Sequence, residues 1–291
     1  MPIASAPAGE SQWAGLAGFA RAAAASLWLE YKTLRLYPAN LWLRATQELT
    51  TIGVWYFLGL FVSPVANGTV AGYGGNYVAY VLVGVLLNQI GLVALRSPFT
   101  TLSEAFWDKR LETYRLAVSG IWANLVGRLA WQVLFSSGLQ ALALTILVGT
   151  GTIPLAHGLS VVAVLMGWPL LVLANAGLGL MGASLFFLLE VKNGQDPITW
   201  VYQYLVQLVS GLYVPLTVLP GWLRDMGRAL PQTYAFAAMR FGILEGRTGP
   251  AVMSDLAILA IEGTLLLSAG IVMVNWGLRR AERRSGLGVV V

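Results

Sequence analysis

Residues Leu49 to Leu95 read LTTIGVWYFLGLFVSPVANGTVAGYGGNYVAYVLVGVLLNQIGLVAL, 47 residues without one Asp, Glu, Lys or Arg. A helix crosses the hydrocarbon core of a bilayer with about 20 apolar residues, so this stretch is long enough for two crossings. The turn-rich run Asn67-Gly68-Thr69-Val70-Ala71-Gly72-Tyr73-Gly74-Gly75-Asn76 marks the reversal between them. Lipid offers no partner for backbone N–H and C=O groups, which leaves only helices or a closed barrel. Continuous apolar runs lack the in–out alternation of barrel strands. The sequence therefore predicts an all-α, polytopic membrane fold.

The rest of the chain extends the pattern. It has 291 residues, 57% hydrophobic and 11% charged, where a soluble domain carries roughly 25% charged residues. A second uncharged gap runs from Ala130 to Leu189 and is divided by Gly149 to Gly158; Pro197 to Leu223 holds one more span, and Leu256 to Leu278 another, interrupted only by Glu262. Six spans are expected, near 45–65, 77–96, 125–148, 159–188, 198–218 and 256–277, within a transmembrane unit of residues 41–278. In span 4, Gly177, Gly179, Gly182 and Ala183 offer small surfaces for close helix packing.

Orientation follows from the basic residues, which accumulate on the cytoplasmic side. Arg21, Lys32, Arg35 and Arg44 precede span 1; Arg96, Lys109, Arg110, Arg115 and Arg128 surround the second connection; Lys192 lies in the fourth; Arg279, Arg280, Arg283 and Arg284 follow span 6. These 14 of the 18 basic residues fall on one side of a six-span chain. Both termini are expected in the cytoplasm, with the chain in the inner (plasma) membrane. The net charge of +5 then reflects topology, and no nucleic-acid partner is expected. Met1 to Gln12 is expected to be a disordered tail and lacks the basic start and apolar core of a signal peptide; residues 279–291 form a basic tail.

Three segments are not simple spans. Residues 13–40 place Leu16, Phe19, Ala23, Leu27, Tyr31 and Leu34 at helical spacing among charges, which suits an amphipathic helix in the cytoplasmic interface. Residues 97–120 hold the densest mixed charge of the chain, interleaved with Phe106, Trp107 and Tyr114; such a segment is either a docking surface for a cytosolic partner or a solvated loop. Residues Tyr213 to Gly246 form an apolar external connection with prolines at 215, 220 and 231. Two short helices, near 220–229 and 232–244 within 219–246, are expected to dip toward the outer leaflet. Arg224, Arg228, Arg240 and Arg247 would then stay near headgroups, with Asp225 and Arg228 close enough to pair.

Charges inside spans are costly and tend to face the bundle interior. Glu48 lies four residues after Arg44, which suggests a local pair at the cytoplasmic edge. Arg128 can reach headgroups from the start of span 3, whereas Glu262 lies deeper in span 6 and is the candidate for a helix-contact or functional role.

Several chemistries lack their residues. There is no cysteine, and the one histidine, His157, stands alone in a loop sequence, so thiolate and Cys- or His-clustered metal sites are excluded. The three lysines follow Tyr, Asp and Val, so no Gly-x-x-x-x-Gly-Lys-Ser/Thr phosphate cradle exists. No catalytic site is expected in this chain.

The run Ser210-Gly211-Leu212-Tyr213-Val214-Pro215-Leu216-Thr217-Val218-Leu219-Pro220-Gly221-Trp222-Leu223, followed by Leu230-Pro231-Gln232-Thr233-Tyr234 and Met239-Arg240, resembles the permease subunits of type-2 ATP-binding-cassette exporters, which move drugs, lipids or polysaccharides. The resemblance covers nearly the whole chain. It implies a second permease unit facing this one and a separate cytosolic ATPase subunit carrying ATP and magnesium, with no cofactor in this chain. It also implies a coupling helix within 103–119, with Asp108, Lys109, Arg110, Glu112, Tyr114 and Arg115 as contact residues in either of two registers. The external helices would close the pathway, with Pro215, Pro220, Trp222, Pro231 and Tyr234 at the gate. Two other readings of the residues remain: a polytopic enzyme acting on lipid intermediates, holding phosphate with Glu262 or the outer arginines, and an ion-coupled secondary transporter.

Overall fold

The computed structural model describes residues 8–108, 120–155, 159–189 and 197–285, which are helical with no strand among them. In chain order the helices are α1 (Ala8–Leu36), α2 (Pro38–Ala66), α3 (Tyr77–Trp107), α4 (Gly120–Gly149), α5 (Val161–Leu189), α6 (Pro197–Val209), α7 (Gly221–Arg228), α8 (Pro231–Arg240) and α9 (Pro250–Ser285). Tight 3-10 turns cover Asn67–Tyr73 and Leu216–Val218, and a π-helical turn covers Phe241–Glu245.

Five of these stretches are long and apolar enough to cross a membrane: Pro38–Tyr73, Tyr77–Trp107, Gly120–Gly149, Val161–Leu185 and Pro250–Arg280. On α2 the apolar side chains point outward, with Phe61 84% and Val65 88% exposed, an arrangement stable against acyl chains and not against water. The chain is an all-helical, multi-pass membrane protein. The expected span 198–218 ends early: the described part of α6 stops at Val209 after 13 residues, about 20 Å at 1.5 Å per residue, where the hydrocarbon core measures roughly 30 Å. Gly211 takes φ +79°, a left-handed conformation that ends a helix.

Two other boundaries shift. The first helix begins at Ala8, inside the stretch expected to be a tail, while residues 1–7 lie outside the described residues. It ends at Leu36; Tyr37 takes φ −121° and ψ 70°, and Pro38 starts α2, as the restriction on residues before proline requires. The third helix does not stop near residue 96 but runs through Pro98 to Trp107, so the first half of the expected connection, Ser97–Trp107, is helix. Between α2 and α3, Gly74 and Gly75 have positive φ and turn the chain into Asn76, whose side chain accepts from the Ala79 N–H at 3.0 Å and caps α3.

The most enclosed helix is α3, with Val81, Leu82 and Leu95 fully buried. It packs on α2 (Gly59 over Val78), on α5 and on the short helices. The small residues of α5 set its spacing: a Cβ at Gly177 would meet backbone atoms of Leu266 and Leu267 on α9, and one at Gly179 would overlap the Leu95 carbonyl of α3. Gly177→Val is therefore expected to lower stability by about 1–3 kcal/mol through overpacking, and Gly53→Val, with open space around it, to leave stability unchanged; thermal unfolding of the detergent-solubilised variants measures both.

Candidate functional site

Two polar sites interrupt the apolar bundle. The first is built where α6 stops. Beyond Val209 the backbone is irregular through Ser210–Pro215, and its carbonyls, no longer used by a helix, need donors. Arg240, the last residue of α8, supplies them. Its guanidinium donates to the carbonyls of Gly211 at 2.7 Å, Leu212 at 2.6 Å and Tyr80 at 3.1 Å, and it lies 3.7 Å over the Tyr80 ring. The Tyr80 hydroxyl donates to the same Gly211 carbonyl at 2.5 Å. Arg240 is 1% exposed, which corrects the expectation that it stays near headgroups. Burial pulls the guanidinium below its ordinary pKa, yet it starts so high that it remains a cation at neutral pH. Room for it comes from Gly84, where a Cβ would overlap Nη2.

Arg224 acts in the same way on the following turn, donating to the carbonyls of Leu216, Thr217 and Leu219 at 3.1–3.2 Å. The expected gate residues sit around these two arginines. Pro215 and Pro220 precede the 3-10 turn and α7 in extended backbone, and Pro231 opens α8. Trp222 is 67% exposed, and the Tyr234 hydroxyl donates to the Arg228 carbonyl at 2.8 Å. The Asp225–Arg228 pair forms at 3.4 Å.

The second site is a cleft of about 410 Å³ among α1, α2, α3 and α4. Six charged residues line it: Glu30, Arg44, Glu48, Arg96, Glu104 and Arg128. Arg128 bridges two helices, with Nε 2.8 Å from Glu30 of α1 and Nη1 2.6 Å from Glu104 of α3; it is a half-buried junction, its side chain 19% exposed. Glu48 is not paired with Arg44. It accepts from Gln89 Nε2 of α3 at 3.3 Å, while the Arg44 guanidinium lies 5.6 Å over the Phe135 ring of α4. Arg96 donates to Gln203 of α6 at 2.5 Å. The α1 approach that completes this cleft depends on Gly127, where a Cβ would overlap the Ala23 carbonyl.

Glu262 is placed apart, on α9, with Oε2 buried and without a hydrogen-bond partner among the described residues. The Tyr202 hydroxyl and Gln232 Oε1 are likewise unpartnered, and Gln232 donates to Asn175 Oδ1 at 3.0 Å. Of the expected coupling residues, Asp108 ends α3, its N–H donating to the Glu104 carbonyl at 2.8 Å. Lys109, Arg110, Glu112, Tyr114 and Arg115 lie outside the described residues. Among the described residues no group of three His, Asp or Glu is placed to hold a metal ion.

Compared with known proteins, the chain matches no protein-family model and no curated protein.

Sequence reasoning missed Arg240 as a structural centre and Glu30, Glu104 and Gln89 as members of the cleft. Arg240 had a visible signal, since Ala235-Phe236-Ala237-Ala238-Met239 before it and Phe241-Gly242-Ile243-Leu244 after it leave no nearby countercharge. The cleft had none, because its members come from four helices.

Removing Arg240 orphans the buried Leu212 carbonyl, a loss of about 1–3 kcal/mol, while Gly211 keeps the Tyr80 hydroxyl and the Tyr80 carbonyl keeps its place in α3. Arg240→Met is expected to cost about 1–3 kcal/mol, and Arg240→Lys to recover little, since one ammonium cannot span the same fork of acceptors. Arg247→Met, on an exposed side chain, is the control; thermal unfolding orders the three variants.

Proposed function

We propose that the chain is the membrane permease subunit of an ATP-driven exporter. It would work as a pair of permease units, the second copy identical or paralogous, over a cytosolic ATP-binding-cassette ATPase that carries ATP and magnesium. In this reading α6 and the irregular segment after it make the sixth crossing. Helices α7 and α8 are short external helices re-entering the outer leaflet, both termini are cytoplasmic, and the chain resides in the plasma membrane. The cargo is a hydrophobic or amphiphilic compound, moved outward without covalent chemistry in this chain.

The observation that carries the reading is the segment from Ser210 to Arg240. It holds the sequence resemblance to type-2 exporter permeases, and it is also where a helix is interrupted and where Arg240 ties α8 to α3 and to the Gly211–Leu212 backbone. A segment fixed to the most buried helix moves with it. A displacement delivered at the cytoplasmic end of α3, where Trp107 and Asp108 lead into 109–119, reaches the Tyr80 end through one continuous helix. Allosteric coupling of this sort needs an element with two arrangements that both sites bias, and α3 is the candidate.

The test is biochemical. Gentle extraction is expected to co-purify a nucleotide-hydrolysing protein whose hydrolysis rate changes when this subunit is removed. Glu112→Ala and Arg115→Ala are expected to lower export much more than they lower membrane abundance. Turnover of a compound by the purified chain alone, or transport driven by an ion gradient without nucleotide, would contradict the proposal.

A further inference from the structure

The cleft among α1–α4 has charge of both signs, and its pairing is incomplete. Three glutamates and three arginines cancel formally, but they do not neutralise one another locally. Arg128 is ion-paired with Glu30 and Glu104, whereas Arg96 donates only to the neutral Gln203 amide. Among the described residues, the Arg44 guanidinium has only the face of Phe135, and the Glu48 carboxylate only the Gln89 amide. They lie one turn apart on α2, on neighbouring surface positions. Among the described residues, two cations, Arg44 and Arg96, and one anion, Glu48, therefore border the same space without an ionic partner.

Three features say what fits there. The space, about 410 Å³, falls within the range of small-molecule sites. One wall is apolar, formed by Leu92, Val93, Phe135 and Leu139, while Ser136, 6% exposed, lines the cleft with Oγ unpartnered. Third, the lining residues run inward along α3 from Glu104 to Gln89 and along α4 from Arg128 to Leu139. The lining thus begins at the helix ends that flank the mixed-charge connection and passes alongside the lipid-facing Leu134 and Leu142. Arg44 is exposed and Glu48 half-buried, so both are open to a ligand, and one with a single charge would engage only one sign of this lining.

We propose that this cleft binds a zwitterionic phospho-ammonium headgroup of the phosphoethanolamine or phosphocholine kind, with the phosphate on Arg44 and the ammonium on Glu48. The short two-carbon link between phosphate and ammonium suits two charges one helical turn apart. Arginine matches phosphate through its planar fork; Ser136 Oγ is a further donor, and the apolar wall receives the first part of an attached chain. The site needs no ATPase, and its failure would leave the exporter reading untouched.

The experiment is native mass spectrometry of the full chain in detergent, titrated separately with phosphatidylethanolamine, phosphatidylglycerol and diacylglycerol. Phosphatidylethanolamine is expected to be retained about tenfold more tightly than either of the others, the scale of one charge-assisted contact. Arg44→Gln and Glu48→Gln are each expected to lower that retention about tenfold, and Glu48→Gln also to abolish the discrimination against phosphatidylglycerol. Leu139→Trp, which fills the cleft without removing a charge, is expected to give the same loss. Soluble glycerophosphoethanolamine is titrated as a competitor: displacement of the lipid identifies the headgroup alone as sufficient ligand, and failure to displace identifies the membrane lipid as the source. Equal retention of phosphatidylethanolamine and phosphatidylglycerol, or retention unchanged in both Glu48→Gln and Leu139→Trp, overturns the proposal.

Discussion

A polypeptide in lipid must satisfy its own backbone, and in this chain that constraint is most demanding where α6 ends. Beyond Val209 the chain leaves helical geometry, and Gly211 and Leu212 present carbonyls that no helix uses. Water could satisfy them at a protein surface, but these residues are packed under α3 and α8, with Leu212 1% exposed. The Arg240 guanidinium is suited to the position because it carries five donors and no acceptor, so it can serve three carbonyls at once. Its charge is spread over a plane that also stacks on Tyr80. Among the described residues the cation has no carboxylate partner; the carbonyl dipoles and the aromatic face take that place.

Other elements follow from that interaction. The guanidinium occupies space that would otherwise hold a side chain on α3, which makes Gly84 a requirement of packing. Gly91, further along the same face, stands in the same relation to the Gln232 amide. Two polar side chains from α8 thus enter α3 at glycines, and this explains why the most enclosed of the described helices contains glycine at both positions. The α5–α9 contact uses the same device with backbone in place of side chain, through Gly177 and Gly270. In lipid, where apolar burial gives little drive to helix association, close approach and internal hydrogen bonds do that work.

Much of this was legible in the sequence. Absence of charge over Leu49 to Leu95 defines two crossings because lipid penalises charge everywhere along a span, and such a signal needs no knowledge of neighbours. The prolines at 220 and 231 mark α7 and α8 for a similar reason, since proline fixes φ and opens helices. The ends of α3 and α6 were not legible. Arg96 and Glu104 look like the edge of a membrane span, but each finds a partner on another helix and the helix continues through them. Conversely, the apolar run from Pro197 to Leu223 looks continuous, and only the tertiary placement of Arg240 makes its early interruption tolerable.

The charged residues show the same division between local and nonlocal information. The i,i+4 relation of Arg44 and Glu48 suggests a local pair, and on an isolated helix such a pair contributes roughly 0.2–0.5 kcal/mol. That is a weak preference. Once the helices assemble, a hydrogen bond to Gln89 on α3 and an aromatic face on α4 take its place. Arg128 illustrates the stronger case: two carboxylates from helices far apart in sequence converge on one guanidinium, so α1, α3 and α4 are tied at a single point. The same convergence that neutralises Arg128 consumes both Glu30 and Glu104. Within this cleft, then, the tie among three helices and the unpaired state of Arg44 and Glu48 are two consequences of one arrangement of charge.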